Sequence, residues 1–424
     1  MSHGRRARRA GDPPATPHAH AHGGGAPAPV GRGARRVLTA LVLALLAATL
    51  TGLLLLWPGA STPAPESEFL APGVEIVPVA VTDVPAPGGP EEPVLVEAVG
   101  RSGALEGQDV LVEVPPQVAA DGLRTGDHLR VLDLAEEELA GAAEAAAPTL
   151  YYLDHERTVP LGILLVAYLV LVALVARGSG LRAMAGLAAG VAIVLWFMLP
   201  AIFAGQDPVL VALVAASAMI FPCVYFAHGI SVRTTTAVLG TFGGIAVTVL
   251  IALLAGRATG MTGADGDAAQ ILFSNHPELS LSAVFLAGVI ISGLGALNDV
   301  TITQASSAWE LRAAMPSASR LAVFTATMRI GRDHIASTVY TLAYAYIGSA
   351  LPLLMYASTI NRSLLDTLTS GEIAAEIFRT LVASIGLVLA IPLTTAIAAA
   401  LAAPPERAQG PSRREQMRER LERL

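Results

Sequence analysis

Lysine is absent from this chain, since all 27 basic residues are arginine. That absence excludes a Walker A phosphate-binding loop and any Schiff-base lysine. Cysteine is almost as scarce: Cys223 stands alone, so no intrachain disulfide can form and any part outside a membrane folds without one. Energy input, where there is any, would come from an ion gradient or a partner subunit.

Charged residues are also few. They make up 14% of the 424 residues, whereas soluble proteins carry about a quarter. Hydrophobic residues reach 53% and the mean hydropathy is +0.59. This composition predicts a membrane protein.

Apolar runs long enough to cross a bilayer, about 20 residues, recur along the chain. They predict an all-α transmembrane bundle of about eight helices. The predicted spans are residues 37–57, 159–176, 181–203, 208–227, 236–255, 281–301, 335–358 and 379–402. The first is interpreted as an uncleaved anchor, because it is long for a signal peptide and no small-residue cleavage site follows it.

Between the first two spans lies a polar insert, for which we predict a Pro-rich linker at 58–92 and a small β-rich domain at 93–158. Three alternating segments, PVLVEAV, DVLVEVP and HLRVLDL, are separated by Gly/Asp turns and indicate a small barrel or sandwich. One further strand is compatible with residues 74–81. From residue 58 to 158 the insert has 19 acidic residues against four arginines, a balance that repels nucleic acid.

Arginine distribution predicts the orientation. The flanks before Val37, at Arg177 and Arg182, at Arg233, at 312–332 and at 407–423 are basic, and with eight spans they all fall on one side. By the positive-inside rule both termini are cytoplasmic and the insert is extracytoplasmic in the cell membrane. The bundle then covers 159–402, followed by an Arg/Glu-rich cytoplasmic tail at 403–424.

The chain begins with a segment of disordered composition, residues 1–36, in which His18, His20 and His22 alternate with alanine. Such a tract is able to collect zinc, copper or nickel loosely. The alternative is a flexible tail with incidental histidines. No cofactor is expected elsewhere.

The most informative segment lies between Ser292 and Tyr344, where polar residues enter membrane-length apolar helices. Ser292, Gly295, Asp299, Thr303, Ser306 and Glu310 share one helical face. In one interpretation Asp299 accepts a proton or cation, with Asn298, Thr301, Thr303 and Gln304 as neighbouring polar groups. In the other, Asn298 and Asp299 form a polar patch at the cytosolic end of a helix.

A second face combines Arg329, Asp333, Ser337 and Thr341 with Tyr340 and Tyr344. Asp333 and His334, beside Arg332, are candidates for a proton relay. The alternative is a structural ion pair of Arg329 with Asp333 at a helix start. We place His228 and Arg233 near the same cluster.

Outside the membrane, Asp154, Glu156 and Arg157 precede the second span. They are interpreted as an interfacial anchor or as the vestibule of a solute pathway. Enzyme motifs are missing: the chain has no HExxH zinc site, no GxSxG nucleophile elbow and no P-loop. We therefore expect no enzyme.

Several segments together resemble the YibE/F family of bacterial multi-span membrane proteins. They are AHGISVRT (227–234), GALNDVTITQASSAWEL (295–311), RIGRDHIASTVYTL (329–342) and EIFRTLVASIGLVLAIPL (376–393). The resemblance covers roughly residues 95–402, and the His-rich arm and anchor resemble actinobacterial members. It implies a cell-membrane location, an N-terminal anchor, an external domain and a terminal bundle, but no substrate.

Two functions follow from these features. The first is permease-like transport of a small solute or ion coupled to protons or cations. The second is a non-transporting membrane scaffold or envelope sensor whose external domain binds a partner. The expected partners are the lipid bilayer, a small solute or ion, and a second copy or another membrane protein.

Overall fold

A computed structural model describes residues 31–59, 74–86, 89, 92–133, 149–360 and 362–402. Residues 1–30 of the predicted His-rich arm, about half of the linker and the cytoplasmic tail lie outside the described residues. The chain divides into two compact units. Unit 1 comprises residues up to 45, 230–260 and from 292 onwards; unit 2 comprises 46–229 and 261–291.

Unit 2 contains a five-stranded β domain followed by helices, and most of the remaining chain is helical. In chain order the elements are α1 Arg32–Leu56, β1 Glu75–Asp83, β2 Val94–Gly100, β3 Asp109–Val114, α2 Pro116–Ala120, β4 His128–Asp133, β5 Thr149–His155, α3 Thr158–Ile193, α4 Leu199–Phe203, α5 Pro208–His228, α6 Val232–Thr259, α7 Asp267–Asn275, α8 Leu281–Ser292, α9 Leu294–Ala314, α10 Arg320–Ser349, α11 Leu351–Thr359, α12 Leu364–Leu368 and α13 Gly371–Leu401. A five-residue π-helix, Val194–Met198, joins α3 to α4.

Six helical segments of the described chain are long and apolar enough to cross a membrane, or up to seven if α10 and α11, bent by 60°, form one span. The predicted number of eight is therefore not confirmed. The difference arises at 159–176 and 181–203, which fall in one helical run, Thr158–Phe203, of 46 residues. Only Arg177, at φ 52° and ψ −142°, interrupts the helical geometry of α3. At about 1.5 Å per residue this run is roughly twice the thickness of the hydrocarbon.

The five strands close into a barrel in the order β1-β2-β3-β5-β4, with β1 also paired to β4. The β3–β5 pair is parallel and the other pairs are antiparallel. A five-stranded Greek-key barrel is the architecture of OB-folds. The predicted small barrel is thus present, and its three alternating segments form β2, β3 and β4.

The barrel core explains why β1 joins it. In β2 every second residue is buried, so one face of each strand points inward. The fully enclosed core side chains are Val79, Val96, Val112, Val114, Leu129, Val131 and Leu150. Because Val79 belongs to β1, the barrel begins at Glu75, inside the segment assigned to the linker.

Unit 1 is built on four packed helices, α6, α9, α10 and α13. Gly293 of α9 lies against Ala383 of α13, and further along the same helices Gln304 meets Thr395, so these two helices are parallel. Helices α6 and α10 run in the opposite direction. Small residues permit these close approaches, as is usual between membrane helices.

Candidate functional site

The polar face predicted on α9 points away from the helix packing. Asp299 and Glu310 are exposed, and Thr303 is half-buried. Ser292 and Ser306 are half-buried as well. Among the described residues, the charged members of this face therefore point outward and not into the helix packing.

The second predicted face, on α10, is likewise directed outward. Its exposed side chains are those of Arg329, Arg332, Asp333, Ser337, Tyr340, Thr341 and Tyr344. His334 is half-buried. The hydroxyl of Thr341 donates to the carbonyl oxygen of Ser337 at 2.9 Å, so it satisfies itself within the helix.

Arg233 and His228 belong to different units, so the prediction that they join these residues in one cluster stays a prediction. Arg233 lies at the start of α6 and its Nη1 is 3.8 Å from Oε1 of Glu310 on α9. His228 is the last residue of α5, in unit 2. The ion pair thus joins two helix ends of unit 1.

The interior of unit 1 contains polar residues of another kind. We call them the polar seam: Thr241, Thr301, Gln304, Thr394 and Thr395, each with 0% of its surface exposed. The hydroxyl oxygens of Thr241 and Thr301 are 2.7 Å apart and join α6 to α9. Thr395 Oγ1 is 3.0 Å from Gln304 Oε1 and joins α13 to α9. Of the predicted residues, Thr301 and Gln304 belong to this seam.

Two polar atoms in the seam, Gln304 Nε2 and Thr394 Oγ1, have no hydrogen-bond partner among the described residues. Turning the side-chain amide of Gln304 over does not give both of its polar ends a partner. Thr395 Oγ1 also lies 2.7 Å from the carbonyl oxygen of Ile391, and its single proton serves one acceptor at a time. Whichever way the amide is turned, one of its two polar ends lacks a partner.

Glycines bring the helices close around these atoms. A Cβ added at Gly240 of α6 would stand 2.1 Å from Thr394 Oγ1. A Cβ added at Gly331 of α10 would stand 2.9 Å from Gln304 Nε2. Backbone therefore packs directly against the seam on both sides, and a bulkier residue at either position would collide with a seam side chain.

Charged residues mark the two ends of the same helices. Near the start of α13, Arg379 Nη1 contacts Glu376 Oε1 at 2.5 Å, both half-buried. Near the end of α9, Arg312 is fully buried and its Nη1 donates to the carbonyl oxygen of Ala318 at 2.7 Å. Sequence reasoning missed these three charged residues because the predicted span began only at residue 379 and Arg312 was counted as a basic flank.

In unit 2 the residues proposed as a vestibule all form ion pairs. Arg157 donates to Asp154 at 2.5 Å and Arg101 donates to Glu156 at 2.5 Å. The hydrogen bond from Arg157, followed by that from the backbone N–H of His155, lowers the pKa of Asp154 below its ordinary value. The first pair joins β5 to the residue before α3, and the second joins the residue after β5 to the residue after β2.

The part of the chain that the structure describes contains no group of three or more His, Cys, Asp or Glu side chains that could hold a metal ion. His18, His20 and His22 lie outside that part, so the metal-binding prediction for them stays a prediction.

Comparison with known proteins places the chain in a family. No curated protein and no solved structure matches it. A family model described as "YibE/F-like protein" matches residues 164–404, more than half of the chain. The matched region contains both units' helices from α3 to α13, including the polar seam. The chain therefore belongs to the YibE/F-like family of proteins.

Proposed function

We propose that this membrane protein moves a small polar solute or ion across the bilayer and holds it, in transit, at the polar seam of unit 1. In this proposal the protein does not catalyse a reaction of the solute. The observation that supports the proposal is the pair of buried, unpartnered atoms, Gln304 Nε2 and Thr394 Oγ1. Leaving a buried polar group unpaired costs about 1–3 kcal/mol. A solute that hydrogen-bonds to these two atoms would recover that cost.

The chemistry of the seam limits what it would bind. It offers three kinds of group, namely threonine hydroxyls, one amide and backbone carbonyls, and none of its five members is charged. A solute that hydrogen-bonds without charge, or a monovalent cation coordinated by oxygen atoms, fits these groups better than a divalent metal, which prefers carboxylates. The seam would open by a shift of helices packed through glycine.

Coupling to protons or cations is assigned to the ionisable groups on the exposed side of unit 1. Asp299, Asp333 and His334 would take up the coupling ion at the mouth of the pathway. The arginines near these residues and at residues 312–332 favour a cytoplasmic mouth by the positive-inside rule. In this orientation both termini are cytoplasmic, the barrel is extracytoplasmic, and Arg177 separates two of eight spans in the cell membrane.

The test uses the full chain, purified and reconstituted into liposomes, with a panel of uncharged polar solutes and monovalent cations. Gln304→Met keeps the volume of the side chain and removes its amide, so flux is expected to fall at least about tenfold. Thr303→Val, one residue away and half-buried, serves as the matched control and should retain flux. Asp299→Asn should abolish the dependence of flux on the proton or cation gradient.

Two results would reject transport through the seam. One is the absence of flux for every member of the panel by protein whose folding is verified. The other is equal flux for Gln304→Met and the unmodified chain. Persistence of flux with lost ion dependence in Asp299→Asn supports the coupling assignment, and unchanged ion dependence rejects that part alone.

A second function, a scaffold or envelope sensor, is favoured by the outer face of the barrel. Leu95 is 49% exposed on β2 and stands opposite Glu113 of β3, while Glu97 stands opposite Leu111. A strand face that alternates leucine and carboxylate suits a basic, partly apolar peptide. Replacing Leu95 and Leu111 by serine in the full chain should then abolish the crosslinking of a partner to the barrel, without changing flux.

A further inference from the structure

Helix α10 presents a polar and aromatic face that is exposed among the residues that the structure describes. Tyr340 is 60% exposed and Tyr344 is 71% exposed, and Ser337, Thr341 and Asp333 are also exposed. The spacing of three and four residues puts all of them on one side of the helix. The opposite side, at Gly331, packs against α9 and α13.

The polarity of this face is unfavourable for a helix surface that contacts lipid. With α11, α10 is apolar enough to count as one bent span, so part of its length lies within the bilayer. Ionised and hydroxyl side chains directed at hydrocarbon are costly, and such groups are found facing protein or water. The hydroxyl of Thr341 is satisfied within the helix, so the groups that most need a polar or closely packed partner are the charged ones, Arg329 and Asp333.

The face has the residues that membrane helices use to meet one another. Ser337, Thr341 and Ala345 are small, exposed and four residues apart, a spacing that lets two backbones approach closely. The spacing of small residues does not by itself identify the partner, but the charges on the same helix indicate a second copy of the chain.

Arg329 and Asp333 carry opposite charges on that face, and neither forms an ion pair within the described residues. They are four residues apart, or about 6 Å along the helix axis. In a two-fold pair of identical helices, the residues that meet across the axis do so twice, i with j and j with i. Arg329 of each copy can then pair with Asp333 of the other, so the face complements itself.

We infer that this α10 face, Arg329, Asp333, Ser337, Thr341 and Ala345 with the tyrosines beside them, is the interface at which a second copy of the chain docks. Each copy covers the hydroxyl groups of the other, and two reciprocal ion pairs form near the membrane surface. The inference shares Asp333 with the proposed coupling role, but crosslinking reports on the interface without any measurement of transport, so the failure of one proposal is distinguishable from the failure of the other.

Disulfide trapping tests the interface in membranes of cells that express the full chain. Cys223, the single cysteine, is first replaced by alanine. Cysteine is then introduced at Ser337, Thr341 or Ala345, and for control at Leu381 or Leu389 of α13, which are 56% and 44% exposed. Because a disulfide needs Cα atoms about 4.4–6.8 Å apart, oxidation should give at least about fivefold more covalent dimer at the α10 positions than at α13.

Charge reversal then tests the reciprocal pairs in the chain that carries Ser337→Cys. Arg329→Asp or Asp333→Arg alone places like charges opposite each other, and dimer yield should fall by about threefold, as expected for two exposed pairs. The double variant Arg329→Asp with Asp333→Arg restores opposite charges and should recover the yield. That recovery also shows that the altered helix still folds.

The inference is overturned if α10 cysteines give no more dimer than the α13 controls, or if crosslinking is equal all round α10. Failure of the double variant to recover the yield lost in both single variants overturns the reciprocal ion pairs. A chain that is monomeric in native membranes, by counting of fluorescently labelled subunits, overturns the whole interface even if transport is observed.

Discussion

Gly331 of α10 lies directly against the side-chain amide of Gln304 in α9. A Cβ added to this glycine would be 2.9 Å from Nε2, 3.1 Å from Oε1 and 2.7 Å from Cγ2 of Ile391 on α13. Three helices of unit 1 therefore meet where a side chain larger than hydrogen does not fit. The same point is where the buried amide has a polar atom without a partner.

Gly331→Ala should destabilise the protein. The added methyl group overpacks the contact with Gln304 and Ile391, which costs about 1–3 kcal/mol, and only about 1 kcal/mol is recovered from the higher helix propensity of alanine. The measurement is the midpoint of thermal unfolding in detergent, which should decrease. Transport, if present, should decrease with it because the seam is displaced.

Gly295→Ala is the matched control on α9. No atom lies within 4 Å of the position that its Cβ would take, and the residue is exposed. At this position the only expected effect is the higher helix propensity of alanine, so the midpoint of thermal unfolding should stay the same or increase. A decrease as large as that of Gly331→Ala would show that the seam contact is not the cause.

The Thr241–Thr301 hydrogen bond should contribute measurably to holding α6 against α9. Each hydroxyl also has a helical carbonyl within reach, Ala237 at 3.0 Å and Asn298 at 3.1 Å, so neither is orphaned when the other is removed. A double-mutant cycle with Thr241→Val and Thr301→Val is expected to give a coupling free energy of about 0.6 kcal/mol.

The control cycle pairs Thr241→Val with Thr325→Val. Thr325 is exposed on α10 and donates its hydroxyl to carbonyl oxygens of its own helix, so it shares no partner with Thr241. The two effects should add to within about 0.5 kcal/mol. Equal coupling in both cycles would mean that the interhelical hydrogen bond is not what the first cycle measures.

Sequence patterns located β1 to β4, because apolar and polar residues alternate within each of these strands, whereas β5 was not predicted. In β2, Val94, Val96 and Ala98 are buried while Leu95 and Glu97 are not, as the alternating letters predict. The pairing of β3 with β5 could not be predicted, because it joins residues far apart in the chain. The merged run across Arg177 was missed since a single non-helical residue leaves no clear signal in hydropathy.

The site was harder to predict than the fold. Charged and hydroxyl residues at helical spacing correctly identify a shared face, as Ser337 and Thr341 show, but spacing does not say whether that face points inward. The buried side of α9 is marked by Thr301 and Gln304, which only the packing of α6 and α13 distinguishes from exposed neighbours such as Asp299. Glycine was the available signal: Gly240 and Gly331 both contact seam residues.

Acid should weaken the contact of Arg157 with Asp154 at the base of the barrel. The pKa of Asp154 is lowered in the folded chain, so its pair stabilises the fold above the pKa of the unfolded chain and is lost as pH falls through the lowered value. Arg157→Gln should raise the pKa of Asp154 toward its ordinary value, as measured by carboxyl NMR titration. The bond from the N–H of His155 remains, at 2.8 Å, so part of the lowering should persist.

Arg101→Gln is the control for that titration. It removes the partner of Glu156 and leaves Arg157 in place, so the pKa of Asp154 should be unchanged. A pKa of Asp154 that is the same in Arg157→Gln and in the unmodified chain would contradict the assignment of the shift to the arginine.

Arg312→Met should leave stability nearly unchanged, within about 1 kcal/mol, although the residue has no exposed surface. The variant loses one charge-assisted hydrogen bond, to the carbonyl oxygen of Ala318, worth about 1.5–3 kcal/mol. It also removes Nε and Nη2, which are buried and have no hydrogen-bond partner among the described residues, and thereby their desolvation cost. The two effects oppose each other, and methionine fills the space of the aliphatic stem.

Chemical or thermal unfolding in detergent measures the balance, with Arg320→Met, an exposed residue at the first position of α10, as the control for loss of one positive charge. A loss above about 3 kcal/mol for Arg312→Met but not for Arg320→Met would contradict the prediction, because one hydrogen bond to a carbonyl cannot supply that much. It would mean that an anionic group also pairs with the guanidinium. Arg312→Lys then separates the two cases: lysine keeps the charge for an anion but lacks the planar fork that reaches Ala318.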